Sequence, residues 1–329
     1  MATRNFCTLF DSNYAFKGVA MLRSLFLHCP NAHVHVLCMD PLTAQVLDSL
    51  GLSQVSCIAL SEFEDEEMLH AKKSRNVAEY CWTLTPCLPW FILQRDPAIQ
   101  EITYLDADLY FYSPVEPLFE EIGNASIAII EHRFPPRLRH LEATGRFCVE
   151  WVGFKRDAQG MACLGRWRAQ CLEWCYARLE DGRMGDQKYL DAWPDTYSAV
   201  HILQHKGAGV APWNFDRYQY GRLPNGNISV DEVPLVFYHF HQFQILANGK
   251  FDRLSASYMD TQKEPEEVYL AYEDEMRRTI ADVQQHMPGF AFGIKSVVHV
   301  TSRRWIQRFV PRPIKELMRR VMTRFSGAL

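Results

Sequence analysis

The strongest constraint on the fold is a change of hydrophobic period that recurs along the first hundred residues. Short apolar runs alternate with segments of helical spacing. "NFCTLF" reads as a strand over 6–10, and the polar turn "DSN" follows it. Phe16, Val19, Ala20, Leu22, Leu25 and Phe26 then recur at the helical period. "AHVHVLCMD" is a second strand, bounded by Pro30-Asn31 and Asp40-Pro41, with His33 and His35 on one face. "PLTAQVLDSLG" is a helix closed by Gly51, and "VSCIAL" is a third strand. "SEFEDEE" is a solvated helix start whose charges suit the helix dipole. A longer helix around "CWTLTPCLPWFILQR" is interrupted by Pro86 and Pro89, and "ITYLDADLYFY" follows as a strand. Strands and helices alternating at this spacing imply an α/β fold with a mostly parallel sheet and flanking helices.

After Pro114 the pattern becomes mixed. "ASIAII" and "FCVEWVGFKR" are strands, and "LGRWRAQCLEWCYARLED" is a helix with Leu164, Trp167, Cys171, Trp174, Cys175 and Arg178 on one face. "SAVHIL" and "PLVFYHFHQF" are late strands. From about Thr261 the chain reads as helical and increasingly polar. The expected organisation is one catalytic-sized domain over 1–260 and a helical extension over 261–329. Ten cysteines without recurrent short spacings point to reduced thiols in a cytosolic protein. The reading finds no signal peptide and no apolar run of bilayer length.

Charge is unevenly placed. From Lys295 onward nine Lys/Arg face a single acid, Glu316, so the tail carries +8 and the rest of the chain −12. Trp305, Ile306, Phe309 and Val310 form one apolar patch of that tail. Ile314, Leu317, Met318, Val321, Met322 and Phe325 form a second at helical spacing. Such a segment suits an anionic membrane surface, and docking onto the domain produces the same pattern. An acidic body without a reading module argues against nucleic acid.

The run "YLDAD" places Asp106 and Asp108 one residue apart at the carboxyl end of a strand, where ligands of open α/β sheets gather. A strand period of two puts both carboxylates on one side, where they repel unless a cation lies between them. A hard divalent ion and a bound diphosphate would satisfy them. The plainer alternative is a turn cap and a surface ion pair. Neither a GxGxxG nor a GxxxxGK[ST] element is present, so the phosphates of a nucleotide need another counter-charge, such as a metal.

The "YLDAD" run resembles the D-x-D motif of GT-A glycosyltransferases, and of glycosyltransferase family 8 in particular. That group includes glycogenin and bacterial galactosyl- and glucosyltransferases of lipopolysaccharide assembly. "LFDSNYAFKGVAMLRSL", "GDQKYLDAW", and "APWNF" followed by "FYHFHQF" resemble other segments of that family, in the same order, over roughly residues 5 to 245. The resemblance implies a GT-A fold and metal-dependent transfer of a sugar, with retention, from a nucleotide diphosphate sugar to a hydroxyl of a glycan or lipid-linked acceptor. It implies that Asp11 accepts from a pyrimidine N3–H, that Tyr14 stacks on the base and that Asn13 supports the turn, hence a UDP-sugar. Asp106, Asp108 and His239 would hold Mn²⁺ or Mg²⁺, with His241 as the alternative should the strand register slip. Asp186 would hold sugar hydroxyls, with Gln187 on the face opposite the departing nucleotide.

Four departures stand out. No Arg aligns before the aspartates, where "CWTLTPC" stands and Arg75 is the nearest upstream. Glu150, in "CVEWVGF", replaces part of the family's Asn-x-Gly strand, as a polar site residue or an edge-strand carboxylate. The Gly and Lys after the His-Phe are missing, and Lys206 in the flexible "HKGAGVAPW" loop is the substitute for reaching the phosphates, unless that loop is a plain exposed turn. The donor preference is left open by these differences. Two rivals share the pattern: a nucleotidyltransferase on the same fold, and a non-catalytic sugar-nucleotide or glycan-binding protein. The expected location is cytoplasmic, peripheral at the inner face of the membrane through the basic tail.

Overall fold

The computed structural model describes residues 3–253, 258 and 264–297. Its first eight strands are β1 (Arg4–Phe10), β2 (Ala32–Cys38), β3 (Val55–Ala59), β4 (Glu101–Leu105), β5 (Leu109–Phe111), β6 (Ile127–Glu131), β7 (Phe147–Lys155) and β8 (Val200–Leu203). All but β5 join one sheet in the order β3-β2-β1-β4-β7-β6-β8. Every pairing in it is parallel except the two made by β7, which runs against both β4 and β6. The α/β class and the mostly parallel sheet agree with the sequence pattern.

Helices cover both faces. They are α1 (Ala15–His28), α2 (Pro41–Leu50), α3 (Leu60–Phe63), α4 (Glu66–Lys72), α5 (Val77–Leu84), α6 (Cys87–Arg95), α7 (Glu116–Ile122), α8 (Ala158–Glu173) and α9 (Trp193–Thr196). Successive side chains of a strand point to opposite faces. Phe6 and Phe10 of β1 accordingly join the core under α1 and α2, while Cys7 and Leu9 join the one under α5, α6 and α8. A strand buried on both faces carries no polar alternation, which is why β1 and β4 read as apolar runs.

Several expected elements differ in extent. Pro86 divides the predicted long helix into α5 and α6, whereas Pro89 falls in the first turn of α6, where its missing N–H costs nothing. The helix of "LGRWRAQCLEWCYARLED" starts earlier, on an Asp157 cap, and stops at Glu173; Trp174 is extended, so Trp174, Cys175 and Arg178 lie beyond it. His33 and His35 sit on an interior strand of the sheet, with His33 Nε2 2.9 Å from Ser56 Oγ.

The later strands are short: β9 (Tyr220–Arg222), β10 (Ile228–Val230), β11 (Val233–Pro234), β12 (Phe237–His239), β13 (Gln244–Leu246) and β14 (Phe251–Asp252). The predicted strand "PLVFYHFHQF" is therefore broken, and Gln242, with φ of 64°, turns the chain beyond it. Helix α10 (Glu266–His286) and strand β15 (Ile294–Lys295) follow. Helix α10 packs into the α1 side of the core. Tyr272 stacks on Phe240 at 3.7 Å, the Tyr269 and Tyr238 hydroxyls lie 3.1 Å apart, and Asp282 pairs with Arg23. Beyond α10, Phe290 meets Phe16 edge-on at 5.3 Å. The basic amphipathic tail, with its two apolar patches, lies outside the described residues. Among the described residues no helix is long and apolar enough to cross a membrane.

Candidate functional site

The run "ITYLDADLYFY" is two strands and a turn rather than one strand. Strand β4 ends at Leu105, Asp106 to Asp108 form the turn, and β5 leaves the central sheet to pair antiparallel with β12. In that pairing His239 lies opposite Leu109, and Phe240 N–H donates to the Asp108 carbonyl at 2.8 Å. The register thus carries the imidazole to the aspartates. His239 Nε2 is 2.9 Å from Asp108 Oδ1 and 3.8 Å from Asp106 Oδ2. The turn, rather than strand alternation, is what places both carboxylates near the one imidazole.

The other nitrogen of that ring faces a third carboxylate. His239 Nδ1 is 2.7 Å from Glu150 Oε2, and Glu150 is fully buried in the middle of β7. Glu150 is therefore not an edge-strand residue. Among the described residues its Oε1 has no hydrogen-bond partner. His241 follows in the turn after β12, yet its ring still lies 5.6 Å from that of His239. Ligand atoms of Asp108, His239 and His241 fall within 4.8 Å of one another, as do those of Cys148, Glu150 and His239.

Electrostatics separate the two aspartates. Burial pushes Asp106 up to about 7, helped by the charges of Asp108 and Glu150 and opposed by His239. Asp108 is also buried, but the charge and hydrogen bond of His239, with Lys17 behind them, hold its carboxyl well below the usual range. For His239, burial is outweighed by Asp108, Cys148 and Glu150, and its proton is held well above the ordinary value. His241 has no such partner at contact distance, and burial with the neighbouring His239 charge lowers it to about 4.

Lys17 belongs to the first turn of α1. Its ammonium is 3.9 Å from Asp108 Oδ2 and 4.4 Å from the centre of the Tyr14 ring. Tyr14 itself is 42% exposed at the mouth of the site, an uncommon position for a large ring. Asp11 shapes this turn, accepting from Tyr14 N–H at 3.2 Å and from Asn13 Nδ2 at 3.1 Å. Gly293, with φ of 79°, presses on it from the C-terminal side, since a Cβ there would lie 2.1 Å from the Asn13 carbonyl.

Asp186 is buried at the start of the 3-10 segment Gln187–Ala192, its carbonyl accepting from Trp167 Nε1 at 3.0 Å. Burial, then the charge of Asp106, pushes its carboxyl up to about 7. The Gln187 amide donates to the Thr144 carbonyl at 3.0 Å and packs on Gly145. Asp186 therefore stands within electrostatic reach of the aspartate turn, and Gln187 is fastened to the segment preceding β7.

Lys206 stands apart. It is more than half exposed and pairs with Asp231 at 3.1 Å. The loop around it is packed rather than an exposed turn: Gly207, Ala208, Val210 and Ala211 are buried, and Val210 bridges to Tyr238 of β12. Among the described residues Lys17 is a lysine that the structure brings to Asp108. Arg75 lies over the Tyr176 ring at 3.8 Å and donates to carbonyls at the end of α8. Lys17 and Cys148 escaped the sequence reading, and the only signal for Lys17 was a cation within the apolar face of α1.

No family model matches the chain. Among solved structures it resembles GlyE of Streptococcus pneumoniae TIGR4, at 14% identity and TM-score 0.49 over 86% of this chain and 64% of that one. It also resembles mouse xyloside xylosyltransferase 1, at 14% identity and TM-score 0.47 over 76% of this chain and 99% of that one. A third likeness is to galactosyltransferase LgtC in complex with donor and acceptor sugar analogs, at 14% identity and TM-score 0.46, covering 80% and 99%. By sequence the chain is 28% identical to the uncharacterized protein YfnF of Bacillus subtilis (strain 168), over 88% of this chain and 96% of that protein. It is 32% identical over 296 residues to the uncharacterized protein YfnD of the same organism, covering 89% of this chain and 95% of that protein. At that identity and coverage, the chain belongs to the family of YfnD.

Proposed function

We propose that the protein is a metal-dependent glycosyltransferase of the GT-A type, which moves a sugar from a nucleotide diphosphate sugar to a hydroxyl of a glycan or lipid-linked acceptor. The observation that carries this reading is the meeting of Asp106, Asp108 and His239 beside the Asp11–Tyr14 turn. Asp108, His239 and His241 offer ligand atoms within 4.8 Å of one another, with Asp106 3.8 Å from His239, and carboxylate with imidazole is a donor set for Mn²⁺ and, with less affinity for the imidazole, for Mg²⁺. Asp106, Asp108 and His239 would hold the ion, with His241 the neighbouring donor. When bound, such an ion offsets the negative charge that develops on a departing diphosphate.

The chain's own residues do the rest. Asp11 accepts from the base, Asn13 holds the turn and Tyr14 offers its exposed ring, a set suited to uracil and hence to a UDP-sugar. Lys17, beside Asp108, supplies fixed positive charge on the phosphate side. Lys206 would join it only by giving up Asp231. Asp186 holds sugar hydroxyls and Gln187 lies on the opposite face from the nucleotide, so transfer retains the anomeric configuration. The lipid-linked class of acceptor, and a peripheral place at the membrane, rest on the charge of the C-terminal tail.

The test is a thermal-shift panel of UDP, GDP, CMP and ADP, each with and without Mn²⁺, on wild type and Asp108→Ala. A ligand bound only by the folded chain raises the midpoint. A Mn²⁺-dependent shift with UDP, absent in Asp108→Ala, is the expected result. No shift with any nucleotide, or an equal one in the variant, sinks the reading. Binding without release of UDP from any UDP-sugar would mark a non-catalytic module.

A further inference from the structure

We propose that Glu150 is the positioning residue of His239: its carboxylate accepts a hydrogen bond from Nδ1–H and so presents Nε2 to the ion. This rests on the metal-dependent reading above. The starting observation is a carboxylate where a strand core should be apolar. Glu150 is fully buried in β7, between Val149 and Trp151 at the irregularity in the β6–β7 register, and its carbonyl accepts from Asp106 N–H at 3.2 Å. A buried charge persists only when it is paired, and among the described residues the partner of this carboxylate is His239 Nδ1 at 2.7 Å.

The imidazole has two nitrogens, and the hydrogen bond made by one decides what the other can do. With Nδ1 tied to Glu150, Nε2 faces Asp108 and Asp106. Carboxylates behind metal-binding histidines orient the ring in this way and raise its basicity. The second oxygen of Glu150 is walled in rather than solvated. A Cβ on Gly209 would come within 3.3 Å of Oε1 and within 2.7 Å of Ile130 Cδ1. Gly209 has φ of 71°, so the buried loop backbone closes over the carboxylate because no side chain intervenes. That loop is held to the histidine's own strand, since His239 N–H donates to the Val210 carbonyl at 2.9 Å. Carboxylate, imidazole and covering loop are thus one rigid unit.

A competing arrangement would make Glu150 a ligand in its own right, with Cys148 and His239. The experiment separates the two. Mn²⁺ is titrated into the full chain, with free ion followed by electron paramagnetic resonance, for wild type, Glu150→Gln, Glu150→Leu and Cys148→Ala. The expected result is a Kd raised about 10- to 100-fold in Glu150→Leu. Glu150→Gln, whose amide oxygen still accepts from Nδ1, recovers most of that loss, and Cys148→Ala stays within about twofold of wild type. Wild-type affinity in a folded Glu150→Leu overturns the proposal, as does a loss in Cys148→Ala equal to that in Glu150→Leu. Failure of wild type to bind Mn²⁺ overturns the metal reading and this proposal together. Should Glu150→Leu not fold, ring ¹⁵N shifts of His239 in the wild type loaded with diamagnetic Mg²⁺ decide. A proton on Nδ1 with Nε2 unprotonated is expected, and the reverse tautomer sinks the idea.

Discussion

At the scale of single residues, the site is a set of charges that the core tolerates only because they face one another. Asp106 and Asp186 share one region and both are pushed to about 7, mainly by burial. If Asp186 holds the sugar, Asp186→Asn should cut transfer roughly 100-fold, as removal of a preorganised polar contact does. The UDP- and Mn²⁺-dependent thermal shift should survive, because the base turn is untouched. A lost shift would assign Asp186 to binding the nucleotide instead. The aspartate pair was legible because carboxylates inside an aromatic run are conspicuous. Glu150 was conspicuous for the same reason, but its role was not, since its partner lies 89 positions away and only the β4–β7 and β5–β12 pairings bring the two together. Lys17 left no mark, because a lysine in a helix is ordinary until its neighbours are known.

At the scale of elements, helix boundaries followed their caps and breakers. Asp40 shows how a cap also serves the site. Its carboxylate accepts from Thr43 N–H at 2.8 Å, starting α2, and from Ser12 N–H at 2.9 Å, holding the base turn. Burial pushes its pKa upward, but these hydrogen bonds outweigh it and lower the value. A depressed carboxylate stabilises the fold above its unfolded value of about 4 and loses that contribution as pH falls through the lower folded value. Asp40→Ala should therefore cost about 1 kcal/mol in urea unfolding at pH 7, as cap removals do. The gap to wild type should close as pH drops below about 4; a gap independent of pH would mean that the carboxylate's charge contributes nothing. The strand misread across His239 and His241 has a physical cause too. An aromatic run such as "FYHFHQF" suits strand and packed turn alike, and the ladder ends at His239, with Gln242 at positive φ in the turn that follows.

At the scale of the whole molecule, the alternation of strands and helices made the parallel half-sheet readable, because each element signals itself locally. The role of the C-terminal segment was not readable, since helix α10 and Phe290 seal the α1 face through contacts with residues more than two hundred positions earlier. Its sharpest contact is Gly293 against Asn13. Gly293→Ala adds a Cβ that the Asn13 backbone cannot accommodate, at a positive φ that disfavours alanine. Weaker UDP binding, by about tenfold, with a lowered thermal midpoint, is expected; unchanged binding in calorimetry would show that the base turn does not depend on this brace. The same contact sets an order of events during synthesis. The turn at Asn13 leaves the ribosome well before Gly293. A nascent chain that has exposed both aspartates and His239 still lacks the brace on the Asp11–Tyr14 turn, so that turn takes its final form only after Gly293 has been made.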